Sequence, residues 1–198
     1  MRTDGELAPI VILGGAAQTG AYVLRVAVRA PLALAFGRFR GGEAIRLPAG
    51  DYAYVGSAMG AKGAASLARR LLRHATRTGA RPPHAIRPAM LARFAAVGLG
   101  GVDLKPAPAK RLHWHVDYLL DQTAAEITHA IALRTADRLE AALARLLHGE
   151  AEVSVVAAGL GASDARGGAH LLRVTADEAW WRALPAKCAR VAQGGAAR

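Results

Sequence analysis

Apolar and polar positions alternate with a period of two through much of residues 20–58, a pattern that predicts a run of short strands. Over 20–29, Tyr22, Leu24, Val26 and Val28 fall on one face until Pro31 ends the run. Residues 33–39 give a second, weaker strand that turns at Gly41 and Gly42. Residues 44–47 give another before Pro48, Ala49 and Gly50. Over 51–57, Tyr52, Tyr54 and Gly56 share a face. Successive short strands of this kind imply an antiparallel sheet.

The period then lengthens. Residues 66–78 read as a helix with Leu67, Ala68, Leu71, Leu72 and Ala75 on one face and arginines on the other, stopped by Gly79. Residues 80–110 hold Pro82, Pro83, Pro88, Pro106 and Pro108 with Gly98, Gly100 and Gly101. With Arg81, Arg87, Arg93, Lys105 and Lys110 as well, they predict a mobile basic insertion outside the core, carrying one short helix over 89–97. A helix over 114–121, a strand over 128–133 and a helix over 137–148 with Leu139, Leu143, Leu146 and Leu147 follow. Strands over 153–157 and 170–175 surround a glycine-rich loop, and a helix over 177–184 precedes a basic, alanine-rich tail. No repeat or heptad pattern is present. The expected fold is α/β of the α+β kind: a small, mainly antiparallel sheet flanked by helices, with two extra C-terminal strands. One domain is expected over 18–176, with 1–17 and 185–198 as terminal extensions.

Composition narrows the partners. The 198 residues are 53% hydrophobic, enough for a buried core, and carry a net charge of +11. That excess favours a polyanion, and nucleic acid is the commonest inside a cell. An anionic membrane surface is the competitor, but no amphipathic anchor with apolar aromatics is present. The lone cysteine, Cys188, builds neither a disulfide framework nor a cysteine-rich zinc site, which suits a reducing cytoplasm. The apolar run over 8–17 follows Asp4 and Glu6 and lacks a basic leader, so it reads as neither signal peptide nor span. The sequence indicates no protein partner.

Four features carry the chemistry: GAY at 20–22, YVG at 54–56, Arg70 and His74 four apart on one helix, and Glu140 on a later helix. In order and element type they resemble the GIY-YIG nuclease superfamily, and YVGSA followed by RRLLRH is similar to its intron-encoded homing endonucleases. HWHVDYLL at 113–120 and GLGASD at 159–164 resemble a small prokaryotic branch of that superfamily, whose members are sometimes fused to an endonuclease III-like domain. That branch usually carries two cysteines after GASD; Arg166 and Gly168 stand there in this chain.

The resemblance implies a metal-dependent endonuclease that hydrolyses phosphodiester bonds in DNA, with a non-catalytic nucleic-acid-binding module of the same fold as the alternative. It implies Tyr22, Tyr54, Arg70, His74 and Glu140 as the catalytic set. Glu140 would anchor Mg²⁺ (or Mn²⁺), which needs only one or two carboxylates besides water. Arg70 would fork onto the scissile phosphate. His74 would assist in phosphate contact or proton transfer, and either tyrosine could relay a proton. Gly56, Ser57, Lys62, Arg69, Arg73 and Arg77 would meet the nucleic acid: Gly56 by allowing close approach, the arginines as an outer stripe. Ser57 stands where some superfamily members have lysine, with Lys62 the candidate to compensate. His113 and His115, two apart on a helix, point to different sides and do not chelate one ion. Trp114 and Tyr118 read as core, Asp117 as a cap or local partner, and Ser163, Asp164 and His170 as a loop able to line the cleft.

Overall fold

In the computed structural model, which describes residues 7–161 and 168–195, the middle of the fold is the pair β2 (Gly20–Val28) and β5 (Gly50–Ala58). They run antiparallel along their full lengths, with Tyr22 opposite Gly56 and Leu24 opposite Tyr54. β6 (Ala125–Arg134) adds antiparallel to β2, and β1 (Ile10–Gly14) lies parallel to β6 at the edge. On the other side, β8 (Leu171–Val174) pairs with β5 and β7 (Val153–Val155) with β8, giving the order β1-β6-β2-β5-β8-β7. β3 (Leu32–Ala35) and β4 (Ala44–Leu47) form a separate hairpin. The expected α+β fold is observed, with one parallel pair making the sheet mixed.

Both faces of the central sheet are buried. Tyr22, Leu24, Val26, Tyr52 and Tyr54 point to one side, with Leu67, Leu71 and Leu72 of α1 (Leu67–His74), Met90 and Phe94 of α2 (Arg87–Ala96), and Leu119 and Leu120 of α3 (His115–Leu120). Ala21, Val23, Ala53, Val55 and Ile131 point to the other side, with Leu143 and Leu147 of α4 (Glu140–His148) and Trp181, Leu184 and Cys188 of α5 (Glu178–Gly195). Each fully buried leucine of α1 contributes roughly 1.5–3 kcal/mol, which fixes the helix that carries Arg70 and His74. Among the described residues no helix is long and apolar enough to cross a membrane.

Several expectations are corrected. Residues 10–14 are an edge strand rather than part of a loose extension, and the tail beyond Leu184 continues α5 through Pro185 and buries Cys188. The 80–110 segment is not an outlying lobe: His84, Met90, Phe94 and Leu99 are buried within it. Arg134 further ties Val97 O to Ala16 O and Ala17 O, and Gln18 bonds Gly98 O and Gly100 N. α1 ends at His74, short of Gly79, because the chain then folds inward. There Thr76 bonds Leu72 O while Arg77 turns into the interior.

Candidate active site

A cleft of about 440 Å³ opens where β2 begins and β5 ends. Tyr22 and Tyr54 are diagonal neighbours on the paired strands, so both rings reach its floor, 6.3 Å apart. Gly56 faces Tyr22 across the pair, and a Cβ there would stand 2.4 Å from the Tyr22 hydroxyl. The glycine therefore makes room for the phenol.

Behind Tyr22 lies a buried chain of polar groups. The Tyr22 hydroxyl is 2.7 Å from His74 Nε2, and His74 Nδ1 stands 3.5 Å from Asp117 Oδ1, a long contact. A proton on Nδ1, facing the carboxylate, leaves Nε2 to accept from the phenol. Burial pushes the His74 pKa down to about 4, outweighing the pull of Asp117, so the ring is neutral near pH 7. Burial also raises both tyrosines, reinforced at Tyr22 by Tyr54, so neither is a standing phenolate.

Asp117 sits at the third position of α3 and accepts from the backbone N–H groups of His113 and Trp114, both at 2.9 Å. Arg73 forks onto it at 3.0 and 2.8 Å, and Lys110 Nζ lies at 3.4 Å. Burial alone would raise its pKa; the facing His74, the hydrogen bonds from Arg73 and the Lys110 charge hold it well below the usual carboxylate range.

Glu140 enters the cleft from the first turn of α4, where the helix dipole favours an anion. Ser57 donates to its Oε2, and His170 Nδ1 stands 2.9 Å from Oε1. Although burial would raise its pKa, these two partners and the Arg70 charge keep it lowered and the group ionised. Arg70 lies with its guanidinium carbon 4.5 Å over the Trp114 ring, and its side chain makes no hydrogen bond or ion pair among the described residues. Stacking thus holds a cation in place with its donors unused by any described residue.

Among the described residues Glu140 is the one carboxylate lining the cleft, and no group of three or more His, Cys, Asp or Glu is arranged to hold a metal. An ionised carboxylate beside a hydroxyl fits a hard cation that keeps most of its waters, as Mg²⁺ does. The described residues do not offer the three or four protein ligands that zinc takes.

A family model described as Domain of unknown function DUF123 matches residues 21–192. The chain belongs to the DUF123 family. The match runs from β2 into α5 and so takes in every cleft residue, the 80–110 segment and most of the last helix. No curated protein and no solved structure matches the chain.

Within this DUF123 fold, Tyr22, Tyr54, Arg70 and Glu140 share the cleft wall with Ser57. His74 does not reach the wall; it is fully buried behind Tyr22. Arg69 and Arg73 line an outer groove, and Lys62 is exposed away from the cleft. Arg77 leaves the expected stripe altogether: buried, it bonds Pro82 O, Ala125 O and Glu126. Gly56 is buried against Tyr22 and offers no approach to substrate. His115 opens α3, its Nδ1 accepting from Gly161 N–H and its ring meeting Phe39 edge-on. His113 lies before the helix rather than on it, and both rings border one small cavity, which corrects the expectation of a helical pair pointing to different sides. Ser163 and Asp164 lie outside the described residues. Trp114, Arg138 and His170 line the cleft without having been assigned to it as catalytic or binding groups. For His170 a signal existed in the loop before β8; for Trp114 its neighbours in HWHVDYLL were the only cue.

Proposed function

We propose that this protein is a metal-dependent endonuclease hydrolysing phosphodiester bonds in DNA, of the GIY-YIG kind that its motifs resemble. One observation carries the reading: an ionised carboxylate, a guanidinium stacked on Trp114 and a phenol bonded to a neutral imidazole meet in one cleft. Arg70 orients the scissile phosphate and stabilises the charge that develops on its oxygens. Tyr22 is the tyrosine suited to proton transfer. Because its phenol is protonated, it takes a proton from the attacking water only as it passes its own to His74 Nε2. Asp117 then faces the imidazolium that forms. Among the described residues Tyr54 has no such acceptor, and it shapes the floor. Glu140 would hold Mg²⁺, which when bound supplies positive charge to the phosphate oxygens.

The test is single-turnover cleavage of plasmid, branched and single-stranded DNA with and without Mg²⁺, beside a binding titration at fixed salt. Glu140→Ala is expected to remove cleavage and leave metal-free affinity unchanged or slightly improved. Arg70→Ala is expected to slow the chemical step by about 10²-fold or more, for one lost oxyanion donor, with only a modest loss of binding. A parent protein that binds DNA and cuts none of these substrates would instead be a binding module of this fold. Variants that cut like the parent would remove the assignment.

A further inference from the structure

Beside the cleft, a smaller cavity of about 190 Å³ is walled by Tyr54, His113, Trp114, His115 and Gly161. Among the described residues, rings supply all of this wall except the glycine. Tyr54, Trp114 and Gly161 also line the cleft, so the cavity is a slot opening off the cleft wall. Its volume falls below the roughly 300–1,000 Å³ of pockets for drug-sized ligands. That suits one flat ring system and excludes a whole nucleotide.

Charge and position say which flat ring. No carboxylate among the described residues lines the slot, and burial lowers the His115 pKa, favouring its neutral ring. Trp114 carries Arg70 over its face and meets His113 edge-on at 4.7 Å. Arg70, Arg73 and Arg111 line another groove that shares His113 and Trp114 with the slot. An occupant of the slot therefore lies beside Arg70 and is flanked by cations suited to a polyanionic backbone.

We propose that the slot takes one unstacked nucleobase next to the phosphate held at Arg70, so that the substrate is DNA with an unpaired nucleotide at the scissile bond. This rests on the nuclease reading of the cleft. Inside a duplex, neighbouring base pairs cover both faces of a base, and only an extruded or unpaired base can enter such a slot. Stacking on aromatic side chains uses a π-face that every base possesses, so the slot selects unpaired DNA without selecting sequence.

The experiment is metal-free binding, by fluorescence anisotropy at fixed salt, to three short duplexes. One is fully paired, one carries a single unpaired nucleotide, and one carries an abasic residue at that same position. Stacking predicts about tenfold tighter binding to the unpaired nucleotide than to either other duplex. Trp114→Phe should keep most of that preference and Trp114→Ala should lose it, with folding checked by thermal melt. If Trp114→Ala does not fold, the abasic duplex with the parent protein decides alone. Equal affinity for all three duplexes overturns the proposal. A protein that prefers the unpaired base but cuts nothing overturns the nuclease reading and leaves the slot standing. One that cuts DNA yet binds all three alike overturns the slot alone.

Discussion

Asp117 binds α3 to its own start, fixes Arg73 and faces both His74 and Lys110, all from a fully buried position. Tyr22 completes this network, which separates it from Tyr54 in a measurable way. Tyr22→Phe would leave His74 Nε2 buried without a partner, a cost of about 1–3 kcal/mol, and would also break the proton relay. Tyr54→Phe removes a hydroxyl with no hydrogen bond among the described residues and should leave stability almost unchanged. Urea midpoints beside single-turnover rates would distinguish the two; equal losses for both variants would remove Tyr22 from its role. A second consequence concerns pH. His74 and His84 both have pKa values lowered from 6.5 to about 4, chiefly by burial, so each is neutral when folded and gains a proton on unfolding. Their contribution is fully present above pH 6.5 and is lost as pH falls toward 4. The expected loss is up to about 1.4 kcal/mol per pH unit for each proton taken up. A stability profile flat from pH 7 to pH 4 would show that these histidines are not buried neutral.

At the scale of elements, the sequence was most legible where one face alternates or repeats. β2, β5, α1 and α4 follow from Tyr22-Leu24-Val26, Tyr52-Tyr54, Leu67-Leu71 and Leu143-Leu147, and with them come four of the five catalytic assignments to the cleft, His74 being the residue set behind. What stayed hidden depends on contacts far away in sequence. β1 is a short apolar run with no alternation, and only its pairing with β6 makes it a strand. Pro185 reads as a helix stop, yet α5 runs on because its far half covers the sheet with Cys188. Proline and glycine made 80–110 look loose, while Met90 and Phe94 fill the space beside α1. Deleting 80–110 is therefore expected to give an unfolded chain, the opposite of what composition suggests. Phe94→Ala alone should cost about 3–5 kcal/mol, read from chemical denaturation; a folded, cooperative deletion variant would contradict this packing.

For the molecule as a whole, the net charge of +11 sets how strongly it meets a polyanion, and burial sets which cations take part. Arg69 and Arg111 line an open groove, whereas Arg77 is spent on Glu126 and backbone carbonyls. Plotting log K against log salt should show a slope reduced by about 1 for Arg69→Ala or Arg111→Ala if each meets a phosphate. Arg77→Ala should leave the slope unchanged while lowering the melting temperature; the reverse pattern would place the DNA elsewhere. The strand order also imposes a timetable on synthesis. β2 and β5 can pair as soon as residue 58 is made, but β1 must wait for β6, with α1, α2 and α3 emerging in between. Throughout that wait Ile10–Gly14 is an uncharged, β-prone stretch with a free hydrogen-bonding edge. A chain held between these two strands therefore exposes that edge to any β-prone segment it meets, and the making of β6 gives it its native partner.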